Sequence, residues 1–354
     1  MGRGRLPSAR SAYRKRTAHV TDRPDRPTAV LAMGPEVAEL VFPTAVRDRL
    51  SEHVRLIPGR VNAQPDDASL ALLADAEILV SGWGCPRLAA DVLARAPRLR
   101  AVMHAAGTVK SLVSDAMWER GIVVSSAADA NAGPVVAHTL ALITLAARRT
   151  LTAAAGYPKG WPAFSSRTGA DGSTVGIVGA SRIGRGVLAG LRGSDAGYEL
   201  LLSDPYVTDE DARALGATRV GLAELCNRSA VVSVHAPLLP ETERLLDGRM
   251  LALIPDGGAV INTARGPIVD TDALTAECAS GRLEAYLDVT DPEPLPPEHP
   301  LLALPNVLVT PHVAGAQGSE LRRLGAYAVD EVARWVAGEP LRGEVGRRSL
   351  DRLA

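Results

Sequence analysis

The chain has 354 residues, 46% of them hydrophobic and 22% charged, with a formal net charge of −1. That length holds two domains of ordinary size, each with its own core. The near-neutral balance argues against a nucleic-acid or acidic-surface binder, and aromatic residues at 3% leave the cores to Ala, Val and Leu. Three widely spaced cysteines, Cys85, Cys226 and Cys278, make neither a disulfide framework nor a zinc spacing and suit a reducing cytoplasm.

Residues 1–27 are rich in Arg and Lys with no apolar run behind them, so they read as a solvated tail rather than a secretory signal. Folding is expected to begin at Thr28, in Thr28-Ala-Val-Leu-Ala-Met33. Strand-like runs at Ala76–Val80, Leu99–Met103 and Gly121–Val124 then alternate with helical patterns at Pro86–Ala96 and Leu112–Arg120, predicting a parallel sheet with crossover helices over 28–131. A long apolar helix is expected from Pro134, with Pro134 at its first position and Arg148-Arg149 near its end. Its apolar run, Val135–Ala147, contains His138 and is too short to span a bilayer, so no membrane partner is expected. A break rich in Gly, Pro, Ser and Trp covers Gly156–Gly172.

The alternation restarts with Thr174–Val178, followed by apolar runs at Glu199–Ser203, Ala230–Val234, Ala259–Asn262, Ala285–Val289 and Val307–Thr310. Six strands fit one doubly wound domain, placed at 132–311. A last amphipathic helix, about Gly318–Ala337, comes too late for that sheet and is expected to return to the first domain, as part of 312–342, leaving 343–354 as a tail. The predicted fold class is thus α/β, with two doubly wound parallel sheets.

The segment Gly176-Ile-Val-Gly179-Ala-Ser181-Arg-Ile-Gly184 follows a predicted strand and opens a helix. Gly179 and Gly184 match the first and third glycines of a dinucleotide fingerprint, one for the tight turn and one for close helix–strand packing. Ser181 replaces the middle glycine, and its hydroxyl is available as a donor to the pyrophosphate. Free N–H groups and the positive dipole end of the helix suit phosphate. Asp204 ends the second strand, where an acid accepts hydrogen bonds from ribose hydroxyls and repels a 2′-phosphate, favouring NAD over NADP.

Three polar groups fall at or beyond strand ends: Arg265 in Ile261-Asn-Thr-Ala-Arg265-Gly, Glu293 in Asp288-Val-Thr-Asp-Pro-Glu293-Pro and His312 in Val309-Thr-Pro-His312. Reduction of a 2-oxo acid needs a hydride at the carbonyl carbon and a proton at its oxygen. His312 suits the proton donor. Glu293 beside it would favour the imidazolium and raise its pKa, and Arg265 offers a planar fork for the substrate carboxylate. Among the described motifs none has metal-ligand spacing, so no metal is expected.

The run from Val175 to Gly315 resembles the D-isomer-specific 2-hydroxyacid dehydrogenases, the family of D-3-phosphoglycerate dehydrogenase. The resemblance rests on Gly176–Arg185, Val232-Ser-Val-His235-Ala-Pro237, Asn262-Thr-Ala-Arg265-Gly266, Asp288–Pro294 and Thr310-Pro-His312. It implies the roles just given for Arg265, Glu293 and His312, and cofactor contacts at Arg182, Ile183, His235, Ala236, Pro237, Thr263, Ala264 and Asp288. It also implies a dinucleotide domain inserted into the substrate domain, an active site in the cleft between them, and a homodimer using the helix from Pro134. A glycine-containing loop that binds the substrate carboxylate would correspond to Ala105–Lys110, with Ala106, Gly107 and Lys110 as substrate contacts.

Here the chain departs from the family: Gly107 carries the loop's glycine, and Lys110 stands where relatives often have an acid, which suggests a substrate with an additional anionic group. Ala137 replaces a glutamate common in relatives. His138 reads as a packed histidine, and His104 and Trp83 as residues lining the substrate site. Two other readings stay open: an NAD(H)-sensing regulatory protein on the same fold, and a formate- or phosphite-type dehydrogenase.

Overall fold

A computed structural model describes residues 26–350; the basic run before them, read as a tail, lies outside the described residues. Thirteen strands are numbered here in chain order: β1 Thr28–Ala32, β2 Arg55–Val61, β3 Ile78–Ser81, β4 Ala101–His104, β5 Val123–Ser126, β6 Thr174–Val178, β7 Glu199–Ser203, β8 Thr218–Arg219, β9 Val231–Val234, β10 Ala259–Asn262, β11 Glu284–Leu287, β12 Val307–Val309 and β13 Glu344–Val345. They belong to two compact units, one running up to Asn131 and resuming at Gly318, the other covering Ala132–Gln317. The return to the first unit thus falls after Gln317, not after Pro311, and leaves His312 in the second unit.

In the first unit the sheet order is β13-β5-β4-β3-β1-β2. β1 to β5 are parallel and β13 alone is antiparallel. β1, β3 and β4 are buried along their whole length, as expected of parallel strands covered on both faces. The helix Leu321–Ala337 packs on the helices Pro35–Val41 and Thr44–His53. A Cβ on Gly325 would stand 2.0 Å from the Val41 carbonyl oxygen, so this glycine sets how closely the helix approaches.

The expected tail from 343 contains β13 and a short helix, Arg347–Leu350. Its approach is held by buried Glu331, whose carboxylate accepts from Ser125 Oγ at 2.6 Å, Gly343 N at 3.0 Å and Arg342 N at 3.1 Å. The helices expected over Pro86–Ala96 and Leu112–Arg120 shorten to Ala90–Ala94 and Asp115–Glu119.

The second unit has seven strands rather than six, in the order β12-β11-β10-β9-β6-β7-β8, all parallel. Alternate residues feed opposite cores: Val175, Ile177, Leu200 and Leu202 on one side, Val178, Leu201, Val232 and Val260 on the other. Chain order reverses between β6 and β9, the switch point at which doubly wound sheets bind ligands.

The helix expected to start at Pro134 begins at Ala128 and runs to Ala147, with Pro134 inside it. At 20 residues it is long and apolar enough to cross a membrane, which the interrupted run in the sequence did not suggest. Seven of its residues are nevertheless buried within the protein. Gly186 and Gly190, on the helix Arg182–Arg192, leave room for Val136 and Leu140: a Cβ at either glycine would stand 2.6 or 2.4 Å from those side chains.

Candidate functional site

The turn and strand-end residues singled out in the second unit lie at the C-terminal edge of its sheet, whereas Ala137 and His138 lie within the helix Ala128–Ala147. The order follows the strands: Asp204 after β7, the glycine turn after β6, His235 after β9, Arg265 after β10, Glu293 after β11 and His312 after β12. Five strand spacings separate the outer two, about 24 Å at the usual 4.7–4.9 Å per strand.

The glycine turn is built by close approach. Gly179 has φ of 96°, and a Cβ there would lie 2.6 Å from the Ala236 nitrogen. A Cβ on Gly184 would lie 2.1 Å from the Gly179 carbonyl oxygen. Only glycine at both positions lets the helix start this near the strand. Ser181, expected to donate to a pyrophosphate, is the helix N-cap, its Oγ accepting from Gly184 N at 3.3 Å. The cap satisfies one first-turn N–H, and the helix start is otherwise short of acceptors, as all are.

Asp204 is fastened on both oxygens: Oδ2 accepts from Ala180 N at 2.7 Å and Oδ1 from Tyr206 N at 2.8 Å. The carboxylate therefore ties the glycine turn to the end of β7, with a remaining lone pair on each oxygen for ribose hydroxyls. These features fit a dinucleotide: a cradle that a Cβ would fill, a helix start for the phosphates, and an acid at the ribose position.

His235, expected among the cofactor contacts, is packed beneath the turn. Its Nε2 pairs with Ser233 Oγ at 2.9 Å, its Nδ1 is buried without a partner, and burial pushes its pKa down to about 3. It acts as a neutral packing group. His138 likewise has a buried Nε2 without a partner.

Asn262, which the sequence did not single out, shapes the next turn. It is buried at the end of β10, donates Nδ2–H to the Arg265 carbonyl at 2.9 Å and accepts from Ala264 N at 3.0 Å. A polar residue closing an apolar strand was the available signal. Thr263 pairs with Thr139 at 2.9 Å. The Arg265 guanidinium donates to the Ala264 carbonyl at 2.6 Å; burial lowers its pKa while the Glu293 charge opposes the shift. Gly266 admits the neighbouring turn, since a Cβ there would sit 1.9 Å from the Thr290 carbonyl oxygen.

The His312 Nδ1 and a Glu293 carboxylate oxygen are 2.7 Å apart, with both side chains about half exposed. A ring held through Nδ1 presents Nε2 outward, where a proton can be exchanged. His312 has φ of 54°, a left-handed conformation that costs a non-glycine residue on the order of 1 kcal/mol. Asp288, expected among the cofactor contacts, is 1% exposed and faces this loop. It accepts from Thr310 Oγ1 at 2.6 Å, Val313 N at 2.8 Å and Ala314 N at 2.9 Å.

In the first unit, the turn Ala105–Lys110 follows β4. Ala106 is buried, Gly107 and Lys110 are half-buried, and Lys110 N donates to Thr108 Oγ1 at 3.4 Å. His104, expected to line the site, lies behind the turn. It pairs with Ser81 Oγ at 2.9 Å and with the Thr108 backbone, and burial brings its pKa down to about 4. Trp83 is 44% exposed beyond β3. Among the described residues, no group of three or more His, Cys, Asp or Glu is arranged to hold a metal ion.

Residues 140–314 match the family model "D-isomer specific 2-hydroxyacid dehydrogenase, NAD binding domain". The glyoxylate reductase of Aeropyrum pernix is 32% identical over 263 residues, covering 72% of this chain and 78% of that protein. The chain belongs to the D-isomer specific 2-hydroxyacid dehydrogenase family. The D-3-phosphoglycerate dehydrogenase of Methanocaldococcus jannaschii is 31% identical over 274 residues, 76% of this chain but 52% of that protein. The chain thus spans about half the length of the phosphoglycerate dehydrogenases it matches. The crystal structure of apo D-mandelate dehydrogenase from Rhodotorula graminis superposes with a TM-score of 0.76 at 26% identity, covering 91% of this chain and 98% of that one. The second unit is the NAD-binding domain of this family.

Proposed function

We propose that this protein is an NAD(H)-dependent oxidoreductase that interconverts a 2-oxo acid and a D-2-hydroxy acid. The 2.7 Å pairing of His312 with Glu293, on the strand ends that also carry the dinucleotide turn and Arg265, is the observation that carries this reading. Bound nicotinamide supplies or accepts the hydride. In reduction, His312 delivers the Nε2 proton to the carbonyl oxygen; Glu293 holds Nδ1 and offsets the imidazolium charge. Arg265 takes the substrate carboxylate in a bidentate fork. Asp204 selects NAD over NADP through repulsion of a 2′-phosphate.

The first unit's part is the turn Ala105–Lys110, with backbone N–H groups at Ala106 and Gly107 suited to a carboxylate and Lys110 suited to a further anionic group. Burial pushes the three thiols up, to about 11 for Cys226 and about 12 for Cys85 and Cys278, so they stay protonated and take no part in the proposed chemistry. A homodimer is supported by the run Tyr157–Gly169, exposed throughout and carrying Tyr157, Trp161 and Phe164. These are large apolar side chains that a second copy would cover.

The test is NADH oxidation against pyruvate, glyoxylate, hydroxypyruvate, phosphohydroxypyruvate and phosphonopyruvate, with His312→Ala as control. Turnover that falls at least about 100-fold in the variant is expected. Tight NADH binding without turnover on any acid would refute the reductase and favour the sensor or a formate- or phosphite-type reaction. Preference for the phosphorylated or phosphonate acids, lost in Lys110→Ala, is the expected mark of the second anionic group.

A further inference from the structure

We propose that Asp288 is a positioning residue for His312, a reading that rests on the proton-donor role proposed above. The turn after β12 has to reverse at a histidine in the left-handed region, and three of its donors converge on one buried carboxylate. Thr310 Oγ1 and Val313 N both donate to Oδ1, and Ala314 N donates to Oδ2. The backbone joins in: Thr310 N donates to the Leu287 carbonyl at 2.8 Å and His312 N to the Asp288 carbonyl at 3.0 Å. Residues on both sides of His312 are thereby tied to a single point at the end of β11.

Glu293 leaves the same strand end five residues later. Asp288 thus sits at the common root of the two segments whose tips meet at 2.7 Å. The clamp works through acceptors at both positions. Asp288 accepts on both oxygens, and charge-assisted bonds to N–H groups are the stronger kind. Asparagine has nearly the same shape but turns an NH₂ group toward one of these donors. That leaves a buried N–H facing a donor, and the turn must move to relieve it.

Asp288→Asn is compared with wild type in three measurements: NADH affinity by fluorescence titration, kcat with its solvent deuterium isotope effect, and the ¹⁵N resonances of the His312 ring. NADH affinity is expected to change less than about threefold, whereas kcat falls about 100-fold, the usual effect of displacing a reacting group by an ångström. The solvent isotope effect should rise, because proton delivery becomes slower than hydride transfer. The His312 Nδ1 resonance should lose the signature of its bond to Glu293.

A tenfold or greater loss of NADH affinity with saturated kcat unchanged would make Asp288 a cofactor contact and overturn the proposal. So would a fall in kcat with unaltered isotope effect and unaltered His312 resonances, the pattern of a general loss of fold. Should Asp288→Asn not fold, Thr310→Val removes one clamp bond and Thr310→Ser restores it. The first should lower kcat about tenfold relative to the second, and equal rates would overturn the proposal. If wild type reduces no acid, the dehydrogenase reading fails by itself, while the resonance and affinity measurements still decide what Asp288 holds.

Discussion

Replacing His235 with glutamine removes a titrating group that the second unit keeps neutral, and the effect can be read as a slope of stability against pH. Burial holds the folded pKa at about 3, against an ordinary 6.5. Between these values the unfolded chain carries a proton on this residue that the folded chain lacks, so stability rises with pH there. The contribution is fully present above 6.5 and is lost as pH falls toward 3. The slope is half of about 1.4 kcal/mol per pH unit at 6.5 and approaches that value below it, which comes to about 2 kcal/mol between pH 6.5 and 4.5. For a unit of this size that corresponds to about 4–8 °C in melting temperature. His104 in the first unit, held at about 4 by burial, has the same sign, so the decisive quantity is the difference between variant and wild type. Calorimetric melts across this range should show the second unit of His235→Gln losing less stability on acidification than that of wild type. Glutamine can retain the bond to Ser233, and a uniform offset between the proteins is immaterial. Curves that run parallel between about pH 4.5 and 6.5 would refute the reasoning, because His235 would then titrate alike in both states.

Asp204→Ala should weaken NADH binding by about tenfold or more, through loss of ribose contacts and of the acceptor for Ala180 N–H. NADPH should gain little; fluorescence titrations in which NADPH becomes the tighter ligand would contradict this account. Gly266→Ala forces a methyl group against the Thr290 carbonyl. It should cost about 1–3 kcal/mol of stability and raise KM for the oxo acid through displacement of Arg265. An unchanged KM would show that Arg265 does not depend on this packing.

The regular parts of the fold are legible because parallel strands buried on both faces read as unbroken apolar runs; β6, β7, β9 and β10 match such runs closely. β2, β8 and β13 escape for a shared reason. They border their sheets or are two residues long, and their exposed residues break the apolar pattern. Pro134 misleads because a rule for first-turn proline says nothing of a helix whose alanines begin it six residues earlier. In the candidate site, strand-end placement is legible from the order of motifs, and the glycine turn from spacing. Direction is not. Asp288, Ser181 and His235 turn toward nearby backbone or into the core, because the direction of a side chain at a strand end is set by the partners that folding brings to it.

The double attachment of Asp204 bears on how cofactor preference can change during evolution. In a turn where the acid merely faced the ribose, one substitution would suffice to admit a 2′-phosphate. Here the same two oxygens also close the glycine turn, through Ala180, and start the following loop, through Tyr206. A lineage that drops the acid opens the pocket and loosens it in one step. A switch to NADP must therefore pass through a variant that binds either cofactor poorly, unless another acceptor for the Ala180 N–H is in place first. Replacing that acceptor is the prior step on any gradual route, and it would leave no trace in cofactor selectivity when it occurred.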